Sequence, residues 1–518
     1  MIDLGDIIRR NARRYGEKEG VVCIESNRRF TYAEFNQRVN RLTNALLNMG
    51  VSKGERVAMF HMNCVEYLEF YCACAKGGFV ATPILFRLAA PEVAHILEHS
   101  DARVLLVGTP FVDLVTKAKT HLPTQQRESL KYICIGGKAE GMQYYDELCQ
   151  SSSSEEPQNV EVKKEEDIFL LAYTSGTTGK PKGAMITHKH VITDCINHAI
   201  ERRMPRNNIS LNPAPMSHIG VTSPTFTALY TGGKIILMSY EPRKTAEIIE
   251  KENVTHVELF PALIYPMLEL PDLDKYDFSS LQSVLYGAST IAADRLKKAI
   301  QVFQCGFFQL FGMTEAGPTT AALLPEDHVL EGPEEITRRL AAAGRETLNV
   351  EAKLVDEQGR EIPRDFNTIG EVILRGDVIM EGYWKDPEAT EEVLRDGWYY
   401  TGDLAKMDDE GYIYIVDRKK DMIITGGENV SSAEVESVLY AHPAILEAAI
   451  IGIPDRKWGE AVKAVVVLRE DQQVSEEDVI TFCKENLTNY KCPKSIAFVN
   501  ALPRNAAGKV LKKDLRVH

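Results

Sequence analysis

Tyr173-Thr174-Ser175-Gly176-Thr177-Thr178-Gly179-Lys180-Pro181-Lys182-Gly183 is the stretch on which the reading of this chain turns. Its glycines let backbone approach a ligand closely, its four hydroxyls offer hydrogen-bond donors, and Lys180 and Lys182 add positive charge. That combination is the chemistry of a polyphosphate cradle. It is not a Walker A loop, which needs four residues between its glycines and a Ser or Thr after Lys; here Gly176 and Gly179 are two apart and Lys180 precedes Pro181. The competing reading is a flexible surface turn, because loops are built from the same residues. The preceding Phe169-Leu170-Leu171-Ala172-Tyr173 argues against it, since a short apolar strand delivering a glycine-rich loop is a common way to present backbone amides to phosphate.

A chain of 518 residues exceeds what one hydrophobic core usually organises, so two or more domains are expected. A hydrophobic content of 44% and a charged content of 26% suit a globular chain. The net charge of -14 disfavours nucleic-acid partners, while a local basic pocket for a nucleotide stays compatible with it. The start, Met1 to Asp6, carries acid where a secretory signal carries base, and no apolar run reaches the length of a spanning helix. The expectation is therefore a cytoplasmic protein with no integral membrane segment. Its ten scattered cysteines are expected to be reduced thiols.

Leu4, Ile7, Ile8, Ala12 and Tyr15 share a helical face, with Arg9, Arg10, Arg13 and Arg14 read as its solvated opposite side. Thr31-x-x-Glu34 is a capping box that opens a helix from Tyr32 to about Met49. Strands at 56–60, 80–84 and 102–107 alternate with helices at 66–75 and from Pro91, which predicts a mostly parallel sheet covered by helices. Residues 151–167 are polar and read as a loop or linker. Asn212 to Gly220 is a proline-stiffened turn holding His218, a residue that in such a turn is more often structural than functional. Phe307 to Phe311 is a strand running into Gly312-Met313-Thr314-Glu315; a hydroxyl and a carboxylate at a strand end suit a Mg-nucleotide, and the alternative is a capped helix start. From Val350 the pattern turns β-rich, and Trp398 to Asp403 reads as the end of a turn. Asp417 to Asp421 reads as a hinge or a polar turn, and the last hundred residues as a small α+β domain. The expected class is α/β: a large N-terminal domain over 1–419, β-rich from about 345 to 419, and a small mobile C-terminal domain over 420–518.

Six stretches match one family in order: Tyr173 to Gly183, Gly287-Ala288-Ser289, Phe311 to Glu315, Tyr400 to Asp403, Asp417 to Val430, and Pro503 to Lys509. The chain resembles the adenylate-forming superfamily, and within it the fatty-acid and carnitine-type acyl-CoA ligases. The resemblance implies an ATP-dependent acid–thiol ligase in which a carboxylate attacks the α-phosphorus of MgATP, and CoA then takes the acyl group. It implies that Thr174 to Lys180 and Lys182 hold the β- and γ-phosphates. Thr314 would touch the α-phosphate, Glu315 would hold magnesium, and Lys509 would bridge the carboxylate and the α-phosphate. It places adenine against Gly287, Ala288 and Ser289, with Phe311 and Gly312 beside it, Phe311 standing where the family usually has Tyr. The ribose goes to Asp403 and Arg418.

For the second half-reaction the resemblance implies a hinge at Lys420 that swings Gly426, Gly427 and Glu428 toward a pantetheine tunnel. His218, Ile219, Val221 and Met313 would line the acyl pocket, with His218 a candidate gate. An apolar pocket favours a medium-chain, cyclic or aromatic acid, and fatty acid metabolism is the expected setting. The expected partners are the acid, ATP and CoA, with a homodimer left open. The alternative is an adenylation enzyme that loads a carrier protein; no carrier module with an Asp-Ser attachment site is read after the catalytic stretches.

Overall fold

The computed structural model describes residues 2–174, 181–289, 291–504 and 510–516. The chain divides into two compact units, one made of Met1–Glu351 and Leu374–Tyr399, the other of Ala352–Ile373 and Tyr400–His518. Parallel strands alternating with helices build the first unit. One of its sheets runs Gln143–Tyr144, Lys131–Ile135, Val104–Gly108, Arg56–Phe60, Val80–Ile84, Ile168–Thr174, Lys182–Thr187, with only the last pair antiparallel. The Val80–Ile84 strand is buried along its whole length, as a strand covered on both faces must be. The other sheet has nine strands, and within it Ser283–Gly287 lies parallel to Gly306–Met313. Val22, Leu211, Ile236, Val257, Val284 and Phe307 share its core.

The first two helices form where the sequence predicts them. Thr31 caps Tyr32–Asn48, its hydroxyl accepting from Glu34 N–H while the Glu34 carboxylate accepts from Thr31 N–H. In Leu4–Tyr15, Leu4, Ile7 and Ile8 are buried and Arg13 and Arg14 exposed, but the solvated basic face is only half right. Arg9 pairs with Glu156 at 2.9 Å, and Arg10 donates to Tyr230 O at 2.5 Å.

Residues 151–167 form no strand or long helix, in agreement with a connecting segment, yet they are held firmly. Lys76 sits on the wholly buried helix Val65–Gly77 and donates to Asn36 Oδ1, Asn40 Oδ1 and both oxygens of Glu156, at 2.6–2.8 Å. Burial pulls the Lys76 ammonium down to about 8. Burial alone would raise the Glu156 carboxyl, but the donors Lys76, Asn36 and Arg9 hold it down near 2.

Two readings need correction. Trp398 to Asp403 does not end a turn; it opens the ten-residue strand Trp398–Met407, in which buried and half-buried residues alternate. After Gly306–Met313 the chain does not enter a helix but turns through Thr314 and Glu315 into the antiparallel strand Gly317–Leu323.

In the second unit Asp403 pairs with Arg418 across the antiparallel strands Trp398–Met407 and Ile413–Arg418. A separate five-stranded sheet carries the hairpin Ile423–Thr425 and Glu428–Val430 beside Gly459–Leu468. Helices Ser432–Tyr440 and Glu476–Asn486 belong to the same unit; Val435, Leu439, Val479 and Cys483 from these helices bury with Ile450 and Val462. Among the described residues no helix is long and apolar enough to cross a membrane.

Candidate active site

The strand Ile168–Thr174 leads into the glycine-rich stretch and Lys182–Thr187 leads out of it. Thr174 and Lys182 are register partners, so the loop's two ends are fixed opposite each other on an antiparallel pair. Ser175, Gly176, Thr177, Thr178, Gly179 and Lys180 lie outside the described residues, as does Lys509. The turn after Gly306–Met313 brings the Glu315 carboxylate to the loop's entrance. Thr174 Oγ1 donates to Glu315 Oε1 at 3.2 Å, and Tyr383 Oη donates to the same oxygen at 3.0 Å. Lys182 Nζ lies 3.9 Å from Asp386 Oδ2 and 5.2 Å from the centre of the Tyr383 ring. Thr314 and Glu315 are half-buried. The first unit thus gathers two carboxylates, Glu315 and Asp386, two hydroxyls, Thr174 and Tyr383, and the Lys182 ammonium around the ends of the loop.

Next to it, Gly287 faces Leu310 across the parallel pair. Gly287 has φ +144, and a Cβ there would stand 2.3 Å from the Leu310 carbonyl oxygen, so only glycine allows the strands to approach this closely. Ala288 follows at φ +61, a conformation that side-chain-bearing residues adopt at a cost. Gly312 is equally constrained: its Cβ would stand 2.4 Å from the backbone oxygens of Gly317 and Pro318. Gly287 therefore ends one strand, with Ala288 and Ser289 following it, beside the strand that carries Phe311 and Gly312, and Phe311 O accepts from Thr320 Oγ1 at 2.8 Å. The expected hydroxyl of the family's Tyr is absent at Phe311, and its ring is half-buried.

His218 caps the helix Ile219–Thr231, its Nδ1 accepting from Gly220 N–H at 3.1 Å. Ile219 and Val221 are buried in that helix and Met313 is half-buried. The helix is tied down by Asp194, whose carboxylate accepts from Ser223 Oγ and, at 3.2 Å, from Thr319 N–H. Burial raises the Asp194 carboxyl to about 7.

The remaining candidates belong to the second unit. Asp403 is buried, and Arg418 Nε sits 2.6 Å from its Oδ1. Burial lowers the Lys420 ammonium, with Asp421 opposing the change. Gly426 and Gly427, at φ +60 and +87, form the two-residue turn of their hairpin, which suits glycine at both positions. Gly426 N–H donates to Trp458 O at 2.7 Å, and Glu428 is exposed. Tyr383 and Asp386 escape a reading from sequence alone. The one signal for them is Asp386-Pro387, an N-cap residue followed by a helix-starting proline, which marks the helix Pro387–Val393 but not its neighbours.

A family model described as AMP-binding enzyme matches residues 8–384, and one described as AMP-binding enzyme C-terminal domain matches 434–509. The chain is 37% identical over 491 residues to a feruloyl-CoA synthase of an Amycolatopsis species, covering 94% of this chain and 93% of that one. It is 34% identical over 523 residues to a long-chain-fatty-acid–CoA ligase of Mycobacterium tuberculosis, covering 100% and 98%. Its fold superimposes with a TM-score of 0.88 on an anthranilate CoA ligase solved with anthranoyl-AMP, at 26% identity and 100% and 97% coverage. The chain belongs to the AMP-binding enzymes of the adenylate-forming superfamily, where it stands with the acyl-CoA ligases.

Proposed function

We propose that the protein joins a carboxylic acid to CoA in two steps at the expense of ATP. The observation that carries the reading is the meeting of Thr174 and Glu315 at the mouth of the loop whose other end is Lys182. In the first step an oxygen of the acid attacks the α-phosphorus, the bond from that phosphorus to the bridging oxygen breaks, and pyrophosphate leaves. Negative charge gathers on the phosphates, and Thr174 to Lys180 with Lys182 are proposed to hold the β and γ groups. Thr314 is assigned to the α-phosphate and Lys509 to the space between it and the acid, where a fixed cation lets two anions approach. Adenine is assigned to Gly287, Ala288, Ser289, Phe311 and Gly312, and the ribose hydroxyls to Asp403 with Arg418 in support.

Magnesium would be held by Glu315. Hard oxygen donors and a single carboxylate suit this ion, which usually keeps waters and takes substrate phosphates as further ligands. It would supply charge neutralisation on the polyphosphate.

In the second step the CoA sulfur attacks the acyl carbon, the acyl–phosphate bond breaks, AMP leaves, and the thiol proton passes to water. We assign the change between steps to a C-terminal domain turning at Lys420, with Gly426, Gly427 and Glu428 lining a tunnel for the thiol arm. His218, Ile219, Val221 and Met313 are assigned to the acyl pocket. The apolar side chains there, and relatives named for feruloyl and long-chain fatty acids, support an apolar acid. A cytoplasmic location is part of the proposal, supported by ten free cysteines that are buried or half-buried; a homodimer is a separate proposal for sizing to test. The test is a panel of straight-chain, cyclic, aromatic and amino acids with MgATP and CoA. Selective acyl-CoA and AMP formation with apolar acids is expected, and a flat response to every acid would overturn the reading.

A further inference from the structure

The segment from Met380 to Thr390 is stitched to both halves of the phosphate-binding apparatus within the first unit. Met380 N–H donates to the backbone oxygen of Glu315 at 2.9 Å. Glu381 N–H donates to Met185 O, Met185 N–H to Gly382 O, and Trp384 N–H to Gly183 O, all at 2.8–2.9 Å, so the segment runs alongside the strand that leaves the loop. It is also braced internally. Tyr383 N–H donates to Thr390 Oγ1 at 2.9 Å, Thr390 Oγ1 donates to Asp386 O at 2.8 Å, and Asp386 Oδ1 accepts from Ala389 N–H at 3.0 Å. Gly382, at φ +137, faces Thr390 so closely that a Cβ would stand 2.7 Å from its methyl.

From this braced segment one side chain reaches two others. Tyr383 is buried, with a relative exposure of 8%; its hydroxyl donates to Glu315 Oε1, and its ring lies under the Lys182 ammonium. A phenol is a hydroxyl donor in its ordinary neutral form, so the bond to the carboxylate needs no unusual protonation state. Two hydroxyl donors on one oxygen of a carboxylate fix its rotation. A cation over an aromatic face is held by the ring's negative quadrupole, and Asp386 adds opposite charge at 3.9 Å.

We propose that Tyr383 is a positioning residue for the adenylation step: through its hydroxyl it sets the rotation of Glu315, and through its ring it sets the place of Lys182. One tyrosine thereby couples the group assigned to the metal with a group assigned to the leaving phosphates. The inference rests on those two assignments in the proposed function.

The hydroxyl and the ring can be separated. Tyr383→Phe keeps the volume and the ring and removes the hydroxyl that bonds Glu315. Tyr383→Leu removes both. The measurement is ATP binding by calorimetry, with and without Mg2+, on each full-length variant after its far-UV circular dichroism matches the parent. Loss of one hydrogen bond to a charged group is worth about 1.5–3 kcal/mol, so Tyr383→Phe should weaken MgATP binding by about tenfold or more. Its metal-free ATP binding should stay within about twofold of the parent, and Tyr383→Leu should weaken metal-free ATP binding as well. Equal weakening of both forms of ATP by Tyr383→Phe, or none, overturns the proposal. Glu315→Gln separates the two failures. If it erases the effect of Mg2+ while Tyr383→Phe does not alter it, the metal assignment stands and the Tyr383 role falls. If Glu315→Gln leaves the effect of Mg2+ intact, the metal assignment itself falls, and the Tyr383 role with it.

Discussion

Asp194→Asn should stabilise the protein at pH 8 and do so progressively less as pH falls. The Asp194 carboxylate, on the helix His188–Glu201, is buried and accepts from Ser223 Oγ and Thr319 N–H. Among the described residues no cation offsets its burial, which raises the carboxyl from 3.8 to about 7. Between these values the unfolded chain has released the proton and the folded one has kept it. Stability from this group is therefore full below the unfolded pKa and is lost as pH rises toward the folded one. At about 1.4 kcal/mol per unit, the loss reaches roughly 4 kcal/mol above pH 7, and about 2 kcal/mol of it falls between pH 5.5 and pH 8. Asparagine has the same shape, can still accept from Thr319 N–H, and carries no charge. Urea denaturation of parent and variant at pH 5.5 and pH 8 isolates the group, because all other titrations are common to both. The difference in stability should move in favour of the variant by about 2 kcal/mol between the two conditions. A difference that is flat with pH, or that moves the other way, would mean instead that Asp194 is ionised and held by a partner. The effect matters for the site because Asp194 ties the helix after His218 to the strand after Glu315.

The other predictions concern backbone approach and catalysis. Gly287→Ala forces a Cβ to within 2.3 Å of the Leu310 carbonyl at φ +144. Adding about 1–2 kcal/mol for the backbone and 1–3 for the clash, the variant should lose about 2–5 kcal/mol in denaturant titration; a loss below about 0.5 would contradict the close pairing. Lys509→Ala should lose acyl-adenylate formation by orders of magnitude, yet still convert a supplied acyl-adenylate and CoA to thioester. Rapid-quench assay of each half-reaction reads this, and equal loss of both would refute the assigned domain turn.

Much of the architecture is legible from local pattern. The Thr31–Glu34 box, the Val80–Ile84 strand and the Glu476–Asn486 helix all depend on neighbours in sequence, and each stands where that pattern puts it. The helix Ile219–Thr231 was not legible, because three of its first seven residues are Gly, Ser and Pro and four of its thirteen are Thr. Such residues are poor helix formers, and burial of nearly the whole segment overrides them. Trp398–Met407 reads as a turn locally because its pairing partner, Ile413–Arg418, decides its conformation from outside. The same applies within the site. Motif order points to Thr174, Lys182 and Glu315, since each lies in a stretch rich in unusual chemistry. Tyr383 reaches Glu315 from 68 positions away, and nothing in the sequence near Tyr383 announces that contact.

In the proposed reaction the acid is activated as an adenylate before CoA takes part. The most direct test of this order is exchange of labelled pyrophosphate into ATP by the parent enzyme without CoA, with and without the best acid from the panel. Exchange should require both the acid and Mg2+, with AMP as the nucleotide product once CoA is added. Release of ADP and phosphate, or exchange that appears only when CoA is present, would contradict it.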